Sequence, residues 1–184
     1  MKTTILAALT ADGIIGQSSS HLSTTWTTKS DKDLFIRLAK ESRCLIMGMN
    51  TFLTTAEKAP SVFTKSLPGR RLIVYTRHPE KAKGYPEVET TSESPRELIN
   101  RLESEGVEIA LITGGAQVYR QFILAGLVDD LYLSIQPILF GTGVHLLDSP
   151  LNIPLELIGT QIEPSDSTAI LHYRVVAKPA APRT

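Results

Sequence analysis

The chain has 184 residues, 42% hydrophobic and 21% charged, enough to bury the core of one domain and short for two. Nineteen Lys and Arg balance nineteen Asp and Glu, with no long run of like charge, so the electrostatic footprints of nucleic-acid and anionic-membrane binding are missing and a small neutral or locally anionic ligand fits better. The single cysteine, Cys44, stands in the apolar CLIM; an internal disulfide and a cysteine-based metal site are excluded, and packing is its expected role.

In chain order, MKTTILAALTADG has a lysine followed by apolar residues. ILAAL is too short for the apolar core of a signal peptide, and the chain runs straight on into DGIIG, so a buried first strand is the better reading. No stretch approaches the roughly 20 apolar residues needed to span a membrane, and a soluble cytoplasmic protein is expected. TILAAL, RCLIM, RLIVYT and EIALIT are nearly continuous apolar runs of strand length, as strands covered on both faces are. Between them, SDKDLFIRLAKES places Leu34, Phe35 and Leu38 at helical spacing. SPRELINRLESEG offers Ser94 as N-cap, Pro95 at the first helical position, Glu97 to complete a capping box and Gly106 as the stop.

The irregular segment TTAEKAPSVFTKSLPG reads as a surface loop. LVDDLYLSIQPILFG opens with Leu131, Leu133 and Ile135 alternating inward, and ELIGTQIEPSDSTAILHYRVVAK reads as two strands about a turn at EPSDS. The fold class is therefore α/β: a mostly parallel central sheet with a C-terminal antiparallel hairpin and crossover helices covering both faces. Residues 1–178 are expected to form one domain, and PAAPRT, residues 179–184, a disordered tail.

ITGGAQVYRQF, residues 112–122, sets two glycines between an apolar run and a helical segment. In open α/β sheets that junction binds ligands, with backbone N–H groups and the helix dipole directed at an anion, and a diphosphate suits it. Taken alone, the pair reads first as a plain strand-to-helix turn and only second as a phosphate site, because GGA lacks the G-x-G-x-x-G spacing.

The company this motif keeps changes its meaning. Together with AALTADGIIG (7–16), WTTKSDKDLF (26–35), IMGMNTF (46–52) and LPGRRLIVYTR (67–77), it resembles the dihydrofolate reductase superfamily in order, content and largely in spacing. The downstream LVDDLYLSIQPILFGTG is closer to the pyrimidine reductase domain of riboflavin biosynthesis, a sister family. The resemblance implies a three-layer dihydrofolate-reductase-like fold, with a central sheet of about eight strands and helices on both faces, and NADPH as cofactor. It makes Asp31, five residues after Trp26 and four before Phe35, the substrate-binding acid. A buried carboxylate can hold an amidine-like ring edge bidentately, and desolvation would let it help supply a proton. Without the resemblance, Asp31 is an ordinary acid in a first helical turn, Phe35 a core residue, and Trp26 an amphipathic core edge.

By the same resemblance, Trp26 packs beside the ring and supports a water near the acid, and Ser134 hydrogen-bonds the carboxylate. Leu6, Ala7, Phe35, Leu67, Arg70 and Thr113 belong to the substrate slot, Arg70 at the glutamate carboxylate of a folate. Ala8, Ile15 and Gly16 match nicotinamide-side positions, while Gly114, Gly115, Ala116, Gln117, Val118 and Tyr119 match the diphosphate turn. Gly48 and Thr51 match a second phosphate turn, and Thr76 and Arg77 the site of the adenosine 2'-phosphate, where arginine suits a dianion.

Three departures stand out. Met49 occupies the place of an arginine that contributes to 2'-phosphate recognition. The loop QSSSHLSTT, residues 17–25, is longer than in bacterial dihydrofolate reductases; it is the segment expected to close over nicotinamide, and His21 in it is expected to be solvated. The loop before LPGRR is longer as well. Asp31 and Arg70 favour NADPH-dependent reduction of 7,8-dihydrofolate to tetrahydrofolate. The alternative is a pyrimidine reductase acting on a ribosylaminopyrimidine with NADPH, and a third reading is a non-catalytic nucleotide-binding relative. The expected partner is a small molecule, with no nucleic acid, membrane or metal, in a monomer or homodimer. No zinc-ligand spacing of a deaminase segment occurs in the 184 residues.

Overall fold

The computed structural model describes residues 1–63, 69–148 and 150–176. Along the chain come β1 (Lys2–Thr10), β2 (Ile14–Gly16), α1 (Lys29–Ser42), β3 (Cys44–Gly48), α2 (Met49–Lys58), β4 (Arg71–Tyr75) and β5 (Val88–Thr91). They are followed by α3 (Pro95–Ser104), β6 (Ile109–Ile112), α4 (Ala116–Leu124), β7 (Asp130–Gln136), β8 (Val144–His145), β9 (Leu155–Glu163) and β10 (Thr168–Val175). Eight strands form one sheet in the order β5, β4, β3, β6, β1, β7, β10, β9. Strand β1 runs parallel to β6 and β7, and β3 parallel to β4 and β6; β10 is antiparallel to β7 and β9. The predicted α/β class, parallel sheet and terminal hairpin are all present.

The period of two along β1 explains the layering. Ile5, Ala7 and Leu9 point into a core completed by Leu98 and Leu102 of α3 and Val118 and Phe122 of α4. Leu6 points the other way, into a core with Leu34 and Leu38 of α1 and Phe52 of α2. Helices therefore cover both faces, and the capping box of Ser94 and Glu97 opens α3 as read from the sequence.

One reading needs correction. Helix α2 continues to Lys58, so the start of the stretch taken for a loop is helical. Its Thr-rich sequence has weak helix propensity, but fully buried Phe52, edge-on to Tyr85 at 4.9 Å, holds it against the sheet, and tertiary packing outweighs propensity. Strand β7 does send Leu131, Leu133 and Ile135 toward the α3 and α4 core. Its opposite face is buried as well: Ser134 and Gln136 are both 0% exposed. A two-stranded ribbon of β2 and β8 was not anticipated. Among the described residues no helix is long and apolar enough to cross a membrane, and the expected tail lies outside them.

Candidate active site

Asp31 is the third residue of α1, after the N-cap Thr28, whose hydroxyl accepts from the Asp31 N–H at 3.5 Å. Glu97 holds the same position in α3. The two carboxylates behave oppositely. Glu97 is exposed and reaches back to the Ser94 N–H at 2.8 Å, and its bonds with Ser94 hold it below the usual carboxylate range. Asp31 turns inward, 8% exposed, and burial raises its proton affinity, while hydrogen bonding by Ser134, then Thr27, and the charge of Lys32 act against that rise. A residue serving only the helix dipole would sit as Glu97 does.

Just ahead of this helix lie two buried polar atoms without partners, Trp26 Nε1 and the Thr27 hydroxyl. The Thr27 oxygen is close enough to lower the proton affinity of Asp31 but meets no partner in good hydrogen-bond geometry. Buried donors without partners are costly, and two from consecutive residues just ahead of the helix that bears a buried acid suit a polar ligand. The Trp26 ring meets Phe140 edge-on at 5.2 Å, and His21 lies 5.5 Å from Phe140 and 6.3 Å from Trp26. His21, expected to be solvated, is thus half-buried in an aromatic cluster. The loop folds back on itself, with Gln17 N donating to His21 Nδ1 at 3.1 Å and Lys58 Nζ to Ser20 O at 3.2 Å.

Phe35 is half-buried one turn beyond Asp31, against the α1 and α2 core. Leu6 lies on the same side of the sheet as Asp31, and its carbonyl accepts from the Tyr119 hydroxyl at 2.6 Å. Ala7 does not belong to the slot: it points through the opposite face into the α3 and α4 core, as the period of two requires. Ala8 is paired in register with Ser134. Arg70 is also displaced from its expected role, because its Nε donates to Ala39 O at 2.8 Å and so closes the last turn of α1. Leu67 lies outside the described residues.

The glycine turns come together at the carboxyl ends of neighbouring parallel strands β3 and β6. Gly48 N donates to Gly114 O at 2.8 Å, and Thr113 N to Ile46 O at 2.9 Å. Gly48 caps α2 and Gly115 caps α4; neither helix start has a side-chain cap or an acidic residue in its first turn. A Cβ on Gly115 would stand 3.1 Å from Thr51 Oγ1, and one on Gly48 3.2 Å from Val118 Cγ2. Bare backbone N–H groups at two helix starts, with the Thr51 hydroxyl beside them, fit the diphosphate of a dinucleotide. Ala116 and Gln117 open α4, while Val118 and buried Tyr119 anchor it.

Farther along the edge, Thr76 Oγ1 accepts from His78 N at 2.9 Å, and Arg77 is exposed. Met49 is 7% exposed, in the core with Phe52, and adds nothing polar for a phosphate. Ile15 and Gly16 lie on the β2 ribbon. Sequence reading missed Thr27 and Gln136. The signal for Gln136 was its place two residues beyond Ser134, hence on the same strand face.

Many solved structures share the fold, three of them as follows. A protein named for riboflavin biosynthesis from Shewanella sp. PV-4 is 22% identical with a TM-score of 0.76, over 96% of this chain and 100% of that one. A pyrimidine reductase-like protein from Corynebacterium diphtheriae is 17% identical with a TM-score of 0.71, over 96% and 92%. A diaminohydroxyphosphoribosylaminopyrimidine deaminase/5-amino-6-(5-phosphoribosylamino)uracil reductase from Thermotoga maritima is 18% identical with a TM-score of 0.71; 95% of this chain matches 56% of that bifunctional one. No curated protein matches significantly.

The expectation of dihydrofolate reduction is overturned by the family match, which extends over residues 2–171. The Trp26, Asp31 and Phe35 spacing reports how α1 starts in this fold rather than which ring lies on it. Arg70, the residue that argued for a folate tail, is engaged with α1. On the match across residues 2–171, the chain belongs to the family described as the RibD C-terminal domain.

Proposed function

We propose that the protein is an NADPH-dependent oxidoreductase that reduces a ribosylaminopyrimidine, as a riboflavin-biosynthesis-type pyrimidine reductase does. The observation that supports this reading beyond the family is a set of donors and acceptors at the start of α1: a buried carboxylate on Asp31 with the Thr27 hydroxyl beside it, and the unpartnered Trp26 Nε1–H in the segment just before the helix. A pyrimidine bearing amino and carbonyl groups offers N–H donors to the first and an acceptor oxygen to the second. A sugar carbon bonded to an amine nitrogen equilibrates with an open C=N form, whose reduction adds a hydride at carbon and a proton at nitrogen. NADPH, held by its diphosphate at the Gly48 and Gly114–Gly115 turns, supplies the hydride when bound. Asp31, its proton affinity raised by burial, holds the proton for the nitrogen, and Ser134 orients the carboxylate. The Trp26, His21 and Phe140 cluster shields the slot from water.

The test is direct. Purified protein is mixed with NADPH and a phosphoribosylaminopyrimidine, and both the loss of reduced nicotinamide absorbance and the ribitylamino product are followed. Turnover of the pyrimidine with none of dihydrofolate is expected, and a protein inert toward the pyrimidine while binding NADPH would sink the reading.

Cofactor choice is assigned to Arg77, exposed just beyond β4, since Met49 contributes nothing polar. Arg77→Ala should weaken NADPH about tenfold, the scale of one charge-assisted hydrogen bond, and leave NADH unchanged. Equal loss for both cofactors, measured by fluorescence titration, would place 2'-phosphate recognition elsewhere.

A further inference from the structure

Gln136 is the largest polar side chain sealed inside the molecule, at 0% exposure, and nothing in the proposed chemistry uses it. Its amide bridges two groups. Thr28 N donates to its Oε1 at 2.9 Å, and its Nε2 donates to Ser134 Oγ at 2.8 Å. This orientation is forced, because a backbone N–H can only donate and must face the amide oxygen. The amide NH2 therefore faces Ser134, whose oxygen is occupied as an acceptor. The Ser134 hydroxyl hydrogen then points away from the amide, and Asp31 is the group whose proton affinity Ser134 lowers by hydrogen bonding.

The same residues seat the start of α1. Thr28 Oγ1 lies 2.6 Å from the hydroxyl of Thr168, also 0% exposed, and Asp166 accepts from Ser30 N at 3.1 Å and Ser30 Oγ at 2.7 Å. Thr28, caught between Gln136 and Thr168, is the N-cap of the helix that bears Asp31. A single buried amide thus touches both the backbone that carries the acid and the hydroxyl that addresses it.

We propose that Gln136 is a positioning residue that fixes the direction of the Gln136, Ser134, Asp31 hydrogen-bond chain, so that Ser134 always donates to the carboxylate and holds one of its oxygens turned away from substrate. The proposal rests on the reading of Asp31 as the acid of the site. Hydrogen bonding by Ser134 opposes the effect of burial on Asp31; without the amide the hydroxyl is free to turn, and the carboxylate loses an enforced donor. Among the described residues, the other titratable groups that act on or respond to Asp31 are Lys32 on its own helix and Tyr119 on α4. Neither touches Gln136 in the hydrogen-bond set.

The experiment follows the Asp31 carboxyl by side-chain carbon NMR during a pH titration of the substrate-free protein, in wild type, Gln136→Met, Ser134→Ala and the double variant. Both single changes should move the Asp31 titration to higher pH, and the double variant no further than the larger single one, because the two residues act through one hydrogen bond. With turnover, Gln136→Met should lower kcat/KM about 10- to 100-fold, the usual scale for a supporting partner, and move the limb of the pH profile that reports Asp31 upward, with NADPH affinity unchanged. An unmoved titration in a folded but less stable Gln136→Met protein overturns the proposal, as do additive shifts. If the Met variant does not fold, Gln136→Glu keeps the acceptor for Thr28 N and, once ionised, has no proton to donate to Ser134; an Asp31 titration unmoved by that substitution overturns the proposal equally. The NMR titration needs no substrate. A failure to reduce the pyrimidine therefore sinks the proposed function alone, and an unmoved titration sinks this inference alone.

Discussion

Asp31→Asn is expected to lower kcat/KM for the ribosylaminopyrimidine by about 10²- to 10⁴-fold, the range for loss of a positioned proton-transfer group, with NADPH affinity unchanged. Asn keeps the shape and one acceptor oxygen but cannot hold the proton. The pH dependence follows from the direction of the shift. Burial raises the Asp31 value above its ordinary one, and wild-type activity should fall as pH rises through that raised value, a limb the variant lacks.

The stability effect has the opposite sign. Between the ordinary and the raised value the folded protein binds more protons than the unfolded chain at this position, so folding is progressively destabilised as pH rises through that window. Asn imitates the protonated form, so the variant should melt above wild type at neutral pH, with the gain vanishing in acid below the ordinary carboxylate range. A thermal scan at the two pH values checks this. Loss of both activity and thermal stability at neutral pH would mean that Asp31 is a structural ion rather than a strained functional acid.

Gly143→Ala is the second large effect. Gly143 has φ +157°, and a Cβ there would lie 2.5 Å from Gly16 O and 2.7 Å from Ile14 Cγ2. The first neighbour is backbone and cannot rotate aside, so the ribbon of β2 and β8, in which Gly16 pairs with Val144, must separate. Overpacking with backbone strain costs about 1–3 kcal/mol, or several degrees of melting temperature for a chain of this size. Since β2 carries Ile15 and Gly16, KM for NADPH should also rise by about tenfold, or about 1.4 kcal/mol. Gly141→Ala is the control: φ is +74° but nothing lies within 4 Å of its Cβ, so strain acts there without collision. Identical melting temperatures and cofactor KM for the two variants would show that the ribbon does not position the cofactor.

Several features of this protein were readable in the linear sequence because their causes are local. Apolar runs of strand length predicted the buried parallel strands, Ser94 and Glu97 the start of α3, and glycines between strand and helix a tight turn, where Gly48 N meets Gly114 O at 2.8 Å. Asp31 was singled out from the sequence, but its interval to Phe35 is the turn of α1 and Trp26 precedes that helix, so neither spacing specifies a ring. The dihydrofolate reading failed at that point. The better guide was LVDDLYLSIQPILFGTG, whose Ser134 and Gln136 supply the polar floor.

Tertiary structure alone decided the rest, because the groups involved are far apart in the chain and their energies depend on burial. Glu97 and Asp31 occupy the same helical position, yet packing leaves one an exposed cap and buries the other, which raises its proton affinity. Arg70 could be assigned to a ligand until the fold brought Ala39 O to within 2.8 Å of it. His21 was a loop residue until Phe140 arrived beside it. Gln136 looked like one more polar side chain on a strand, and only its enclosure between Thr28 and Ser134 fixes which way its amide points.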